Sequence, residues 1–215
     1  MSIVDSASQP AVQGGVQRLK SAATRAALIA AARTLFGQAG YHATSTPQVV
    51  ALASVTRGAL YHHFSGKEDL FEAVFLQLDE ELALTARATV APMSGGMWDK
   101  MLAALTIYLR QRADSREAQR ILLLDGPTVV GWERWRALQS NTLEGMAYTF
   151  HTLMDQGVMA VRPPEPLAQQ VVAALNEAAL SIAHAASPRV ELSRQTDAFL
   201  ALVEGLRIGA AAPSR

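Results

Sequence analysis

Apolar residues recur at helical spacing along most of this chain, and no stretch alternates with the period of a β-strand. The first pattern covers residues 21–38 and predicts an amphipathic helix that ends before Gly40. We expect Phe36 on this helix and Phe64 to belong to one small core. Residues 1–20 have no period and are rich in Gly, Pro, Ser and Gln, which predicts a disordered arm.

Two short helices joined by a tight turn are predicted in TPQVVALASVTRGALYHHFSGK, residues 46–67. We expect Thr46 to cap the first of them and Thr56 to cap the second. Ser65 then begins an S-x-x-E capping box, which opens a longer helix to about residue 88. This arrangement is a helix-turn-helix, whose second helix has the size to enter the major groove of DNA.

The rest of the chain continues the helical pattern. The predicted helices cover residues 98–111, 115–125, 132–156, 167–186 and 188–208, with stops at 125–127 and 162–166. No repeat interrupts them. The sequence therefore predicts an all-α protein.

Charge is unevenly distributed, although the formal net charge of the 215 residues is zero. Residues 1–67 carry six Lys or Arg side chains and one acid, Asp5, a local charge of +5, so the remainder carries −5. The same segment holds three of the five histidines. A basic end joined to an acidic body suits a protein that contacts phosphates with one end only.

The composition is that of a globular protein. Half of the residues are hydrophobic, which allows a sizeable core. No apolar run approaches the roughly 18 residues of a membrane span, and the N-terminus lacks the basic and apolar regions of a secretory signal. Cysteine is absent, which excludes disulfides and thiolate metal sites. We expect a cytoplasmic protein with no membrane partner.

The side chains of the second short helix suit contacts with DNA. Arg57 can make a bidentate contact with a guanine edge. Tyr61, His62 and His63 can reach phosphates or bases. Lys67 can act as a point charge at the backbone.

Two stretches resemble the tetracycline-repressor (TetR) family of transcriptional regulators. VTRGALYHHFSGKEDL is similar to the recognition-helix segment of that family, and TRAALIAAARTLFGQAGYHATS to its first helix. The resemblance implies a three-helix DNA-binding domain at residues 21–66 and a helical bundle for ligand binding and dimerisation at residues 67–215. The residues expected to contact double-stranded DNA are Thr46, Gln48, Thr56, Arg57, Gly58, Ala59, Tyr61, His62, His63 and Lys67.

Two positions depart from the usual form of the family. Ser54 stands in the turn where glycine is frequent, so either the turn differs slightly or serine adopts a left-handed conformation at about 1 kcal/mol. Val49 stands where a charged residue is frequent, which removes a possible surface contact.

The resemblance also implies a pocket for a small-molecule effector in the middle of the chain. Large, soft and aromatic side chains concentrate there, with a few polar groups among them. The alternative is that these side chains form plain core. The candidate ligand-binding residues are Trp98, Met101, Leu105, Tyr108, Leu122, Trp132, Trp135, Tyr148, His151 and Met154.

The last two predicted helices are apolar around much of their circumference, so each must bury two faces. In the family that the chain resembles, these helices pair with the same two helices of a second subunit. A wholly intramolecular core is the alternative. The candidate residues of the dimer interface are Val172, Leu175, Ala179, Ile182, Phe199, Val203 and Leu206.

No pattern of residues predicts catalysis, a metal site or a cofactor. His62 and His63 are adjacent and point to different sides of a helix, and His151 and Asp155 lie one turn apart without a nucleophile nearby. We therefore predict a homodimeric repressor that binds a palindromic operator and is released by a small apolar or aromatic effector. The alternatives are an activator or ligand-blind DNA-binding factor, and a helical-bundle carrier or enzyme with an incidental basic end.

Overall fold

The computed structural model describes residues 9–209, with side chains from residue 17 onward. Within that range the chain is all-α, as predicted. It has no strand there, only an isolated antiparallel bridge between Met159 and Arg207. The helices are α1 (Gln9–Ala39), α2 (Thr46–Leu52), α3 (Arg57–His63), α4 (Lys67–Val90), α5 (Met97–Asp114), α6 (Arg116–Ala118), a π-helical segment (Gln119–Asp125), α7 (Gly126–Val130), α8 (Trp132–Leu138), α9 (Ser140–Asp155), α10 (Pro164–His184) and α11 (Pro188–Glu204).

Helix α1 begins at Gln9, so the prediction of a disordered arm is wrong for residues 9–20. Residues 1–8 of the predicted arm lie outside the described part of the chain. Arg18, Leu19 and Lys20 are exposed. Because adding a residue to an existing helix fixes few torsions per hydrogen bond, the packed part of α1 can extend toward the N-terminus without a core of its own.

Helices α1, α2 and α3 enclose a small aromatic core. Phe36 is fully buried and Phe64 is 2% exposed, so both predicted core residues are confirmed. Phe36 also contacts Phe71 of α4, with ring centroids 5.4 Å apart. Ser54 adopts a φ of 54°, which confirms that serine takes the left-handed conformation of the turn.

Two predicted caps differ by one residue from the structure. Ser45, not Thr46, caps α2, because Ser45 and Gln48 form a reciprocal capping box in which the Ser45 N–H donates to Gln48 Oε1 at 2.8 Å. Ser65 bonds Asp69 rather than Glu68, with its N–H 2.8 Å from Asp69 Oδ2. Helix α4 starts later than predicted, which makes Asp69 its third residue.

The described chain divides into two compact units, with the boundary between residues 74 and 75. The boundary falls within α4 and not at the predicted junction of residues 66 and 67. The reason is that the first turns of α4 supply core residues to the N-terminal unit, among them Phe71.

Helix α10 is the centre of the C-terminal unit. It packs against α5, α9 and α11. Val171, Leu175 and Ile182 on α10 are at most 3% exposed. This unit has its own hydrophobic core.

Two predictions about the helices of the C-terminal unit change. The helix predicted at 132–156 is interrupted at Gln139, whose side chain turns into the bundle. The predicted stop at residues 125–127 does not end the helical path, which continues to Gly131, where φ is 78°. Pro127 and Pro164 each lie in the first turn of a helix, where a missing N–H breaks no bond.

Candidate DNA-binding surface and ligand cleft

Helix α3 presents a polar surface because its apolar residues face the core. Leu60 is fully buried, whereas Arg57, Tyr61 and His62 are exposed. The cap at its start is as predicted, since the Ala59 N–H donates to Thr56 Oγ1 at 3.1 Å. The α3 surface therefore offers a guanidinium, a phenol and an imidazole side by side.

Arg57 and Tyr61 support each other on the α3 surface. The Arg57 guanidinium carbon lies 5.5 Å from the centroid of the Tyr61 ring. Interactions with the side chains of Arg57 and then Thr46 lower the pKa of the Tyr61 phenol. Residues of both α2 and α3 therefore influence this exposed group.

The other predicted DNA contacts lie around α3 and differ in their exposure and in the hydrogen bonds that they already make. Gln48 is exposed but its amide is engaged with Ser45, and the Thr56 hydroxyl is engaged in the cap. His63 and Ala59 are half-buried. Gly58 is exposed, and a Cβ there would meet only Thr56 Oγ1 at 3.9 Å, so the fold does not require glycine at this position.

Lys67 is engaged within the fold, and its predicted contact with the DNA backbone stays a prediction. Its ammonium donates to the carbonyl oxygens of Tyr41 and Thr44, each at 2.9 Å, and lies 3.9 Å from the centroid of the Tyr41 ring. Burial lowers the pKa of this group. Lys67 is half-buried and joins α4 to the turn between α1 and α2, which makes it a structural group first.

Replacing Lys67 by methionine is expected to lower the free energy of unfolding by about 2 kcal/mol, because two bonds from a charged donor are lost and two carbonyls lose their partner. Urea unfolding followed by circular dichroism measures the change. Lys20→Met is the matched control, since Lys20 is exposed in the same unit. Equal stability of the two variants would contradict the structural role.

A cleft of about 340 Å³ lies within the C-terminal unit. Helices α8, α9 and α10 form its walls, with the start of α7 at one end. Its lining residues are Pro127, Trp132, Trp135, Arg136, Gln139, Leu143, Gln169, Gln170, Val172, Ala173, Asn176, Glu177 and Leu180. The volume is at the lower end of the range for small-molecule sites, about 300–1,000 Å³.

Two indole rings form one wall of the cleft. The centroids of Trp132 and Trp135 are 4.9 Å apart and their planes are inclined by 33°. Trp135 is buried and its Nε1–H donates to the Leu122 carbonyl at 3.0 Å, whereas Trp132 is 61% exposed. A Cβ on Gly126 would lie 3.0 Å from Trp135 Cδ1, so a glycine is needed for Trp135 to pack this closely.

A buried polar chain begins at the cleft. Asn176 donates from Nδ2 to Gln139 Oε1 at 2.9 Å and accepts at Oδ1 from the Tyr108 hydroxyl at 2.5 Å. The Arg112 guanidinium carbon lies 3.3 Å from the centroid of the Tyr108 ring, and its Nη2 donates to Asp79 Oδ1 at 3.1 Å. The chain thus leads from the cleft to α4.

Burial is the largest influence on the pKa values of two groups in this buried polar chain. It raises the pKa of Asp79 even though Arg112 opposes the rise, and it raises the pKa of Tyr108. A second cavity of about 10 Å³ lies among these side chains and is lined by both Gln139 and Asn176. Arg112 Nε is buried without a hydrogen-bond partner and Arg112 lines this cavity, which has room for about one water molecule.

The structure brings only part of the predicted ligand residues to the cavities. Trp132 and Trp135 line the cleft, and Tyr108 and Leu122 line the small cavity. Trp98, Met101 and Leu105 are instead core side chains that line neither. Tyr148, His151 and Met154 line neither cavity, because the outer side of α9 carries Tyr148 and His151 into solvent.

Gln139 and Asn176 line the cleft but were not predicted from the sequence. A signal for Asn176 was present, since it is the polar residue among the buried apolar positions of α10. The sequence held no signal for Gln139. The break between α8 and α9 turns this residue inward, and no Gly or Pro marks that break.

The described residues offer no group of three or more His, Asp or Glu suited to a metal ion. His151 and Asp155 pair at 3.0 Å on the surface, with both side chains largely exposed. None of the described helices combines the length and the apolar character needed to cross a bilayer.

Most of the predicted dimer contacts are buried within one chain. Six of the seven, namely Val172, Leu175, Ala179, Ile182, Phe199 and Val203, are at most 4% exposed, and Leu206 is half-buried. These six residues cannot form the surface that meets a partner, because they already pack inside the C-terminal unit. The opposite side of α11 exposes Ala198, Ala201 and Leu202.

The comparisons with known proteins agree on one family. Residues 28–74 match the family described as bacterial regulatory proteins, tetR family, and residues 98–206 match the tetracyclin repressor-like C-terminal domain. A TetR-family transcriptional regulator from Pectobacterium atrosepticum is 35% identical, covers 89% of this chain and 97% of its own, and superposes with a TM-score of 0.77.

Other relatives match a shorter stretch of this chain or share only its fold. A tetR family transcription regulator from Shewanella sp. PV-4 is 24% identical, covers 86% of this chain and 98% of its own, and has a TM-score of 0.68. The HTH-type transcriptional regulator UidR of Escherichia coli is 41% identical over 61 residues, which is 28% of this chain and 31% of UidR. The chain thus matches about a third of the length of that relative. With both domains matched and a relative aligned over nearly its whole length, this chain belongs to the TetR family of transcriptional regulators.

Proposed function

We propose that this chain is a repressor that binds a two-fold symmetric operator as a homodimer and leaves it when a small molecule fills the cleft. The observation that carries this proposal is the exposed pair Arg57 and Tyr61 on α3 of a basic unit, in a chain of this family. Exposed Arg and Tyr on a short helix suit base and phosphate contacts in a major groove.

The surface around Gly58 supports the placement of DNA against α3. Glycine in a helix costs up to about 1 kcal/mol relative to alanine, and the structure has open space where a Cβ would lie. A glycine that the fold does not need permits close approach of a phosphate or sugar to the helix backbone. The operator contacts that we propose therefore centre on Arg57, Gly58 and Tyr61.

Arg57→Lys tests the base-reading role. Lysine keeps the charge but loses the planar fork, so affinity for the operator is expected to fall by about 1–3 kcal/mol while affinity for random DNA changes little. The operator is first selected from random duplexes, and both affinities are then measured by fluorescence anisotropy over a salt series. Arg18→Lys on α1 is the control, with no change expected.

Equal loss of affinity on operator and random DNA would contradict base reading by Arg57. Absence of any shift with genomic fragments at low salt would contradict DNA binding, and would favour the alternative of a small-molecule carrier or enzyme.

The effector is proposed to act through the buried polar chain. Asp79 lies on α4, the helix that continues from the DNA-binding unit into the C-terminal unit, and Gln139 and Asn176 line the cleft. A ligand that changes the hydrogen bonds of these two amides also changes the hydrogen bond that Tyr108 donates to Asn176. Through the Tyr108 ring, it then affects the neighbouring Arg112. Differential binding to two states of about 1–3 kcal/mol gives 5- to 150-fold changes in occupancy.

Homodimerisation is proposed on the exposed side of α11, in place of the buried residues named from the sequence. Ala198, Ala201 and Leu202 are exposed on one side of α11. Small side chains let two helices approach closely, and a two-fold dimer reads half-sites about 34–36 Å apart.

A further inference from the structure

We propose that the cleft selects an uncharged, flat aromatic molecule that offers a hydrogen-bond donor and an acceptor on one edge, as a primary carboxamide does. This inference rests on the effector role proposed above and names the chemical class of the effector. Three features of the cleft carry it: the indole wall, the amide pair and the balance of charge.

The indole wall calls for a flat ring. Trp135 is fixed by Gly126 and by its bond to Leu122, and Trp132 lies against it with a largely exposed face. An exposed indole at the mouth of a cleft gains apolar burial and offset ring contact when an aromatic ligand enters. Leu143 and Leu180 add apolar surface, so the bulk of the ligand is expected to be hydrocarbon.

The amide pair can hydrogen-bond to the polar edge of the ligand. Gln139 and Asn176 both line the cleft, and both are less than a tenth exposed. Their mutual bond uses one donor of Asn176, and the Asn176 oxygen accepts from Tyr108. Since a side-chain amide has two donors and two acceptor lone pairs, the pair can both donate to and accept from a ligand.

The charges around the cleft disfavour an ionised ligand. Arg136 and Glu177 are opposite in sign and both exposed. The buried charges beneath the amide pair, Arg112 and Asp79, already face each other at 3.1 Å. A carboxylate or ammonium buried beside Asn176 would lose its hydration. The only charges of opposite sign in the lining are the exposed Arg136 and Glu177, whose attraction is screened by solvent, so burying the ion costs more than burying an amide.

Three probes of one shape and different charge test the inference: 2-naphthamide, 2-naphthoate and 2-naphthamidine. Isothermal titration calorimetry on the full-length protein at neutral pH measures each affinity. We expect the neutral amide to bind at least about tenfold more tightly than either ion. Tighter or equal binding of the carboxylate or the amidinium overturns the inference, as does the absence of binding by all three.

Asn176→Asp supplies a sharper arm of the same experiment, because it replaces the amide by a carboxylate of the same shape. The preference is expected to reverse toward 2-naphthamidine. Asn141→Asp is the matched control, since Asn141 is exposed in the same unit and does not line the cleft, and the wild-type preference should persist. Gln139→Leu is the second variant should Asn176→Asp not fold, and loss of the amide preference is expected.

If Asn176→Asp and Gln139→Leu, or whichever of them folds, still prefer 2-naphthamide, the amide pair does not select the ligand and the inference is overturned. Operator binding measured with each probe separates this inference from the proposed function. If 2-naphthamide binds tightly but the operator complex persists, the repressor mechanism fails and the ligand class stands. If a charged probe alone releases the operator, the ligand class fails and the mechanism stands.

Discussion

Replacing Arg112 by leucine is expected to lower the free energy of unfolding of the C-terminal unit by about 3 kcal/mol, because it leaves a largely buried carboxylate unpaired. The Arg112 and Asp79 side chains are 4% and 18% exposed and meet at 3.1 Å. The variant also removes the cation from the face of the Tyr108 ring. Leucine fills only part of the space of the guanidinium, which adds a smaller packing loss.

Thermal and urea unfolding of the variant measure this effect, with Arg110→Leu as the control. Arg110 lies on the same helix and is exposed, so its replacement should change stability by no more than about 0.5 kcal/mol. The double variant Asp79→Asn with Arg112→Leu should regain part of the loss, because no charge is then left alone. Equal loss in the single and double variants would mean that packing, and not charge, explains the cost.

The Arg112→Leu variant should also have a distinct dependence on pH. Burial raises the pKa of Asp79 in the folded protein, with Arg112 opposing the rise. A carboxyl group whose folded pKa exceeds the unfolded value binds more protons when folded, so stability falls as pH rises through that window. Without Arg112 the window widens, and the deficit against wild type should therefore grow from acid to neutral pH.

The N-terminal unit could be predicted from the sequence because its signals are local. Thr56 caps α3 as expected, Ser54 takes the left-handed turn conformation, and Phe36 and Phe64 are buried. The cap and the turn depend on residues within a few positions along the chain, and the burial of the two phenylalanines follows from the local apolar pattern of each helix. The predicted caps at Thr46 and Glu68 were off by one residue because competing partners stood next to them.

The cleft, the role of Lys67 and the buried side of α10 could not be predicted, because each depends on contacts far apart in the sequence. Lys67 bonds the carbonyls of Tyr41 and Thr44 across the unit. The Asn176 amide meets Gln139 of another helix segment. An apolar stripe predicts that a helix buries one face, but it does not identify what packs against that face. For this reason, residues of α10 and α11 that face the core were predicted as dimer contacts.

Replacing Leu202 by arginine is expected to convert the protein from dimer to monomer and to lower operator affinity by about a hundredfold or more. Leu202 is 55% exposed on α11 beside the exposed Ala198 and Ala201. In a pair of closely packed helices, an arginine in each partner would bring two like charges into an apolar contact. Losing the second half-site removes a two-site gain of about 10²–10⁴ in affinity.

Leu84→Arg is the matched control for this prediction, because Leu84 on α4 has the same exposed fraction, 55%, and lies in the same unit. Sedimentation velocity at micromolar concentration gives the oligomeric state, and anisotropy with the selected operator gives the affinity. Because both leucines are exposed, neither change should unfold the monomer, which circular dichroism checks. A wild-type monomer would contradict the homodimer, and dissociation by Leu84→Arg but not by Leu202→Arg would place the interface away from α11.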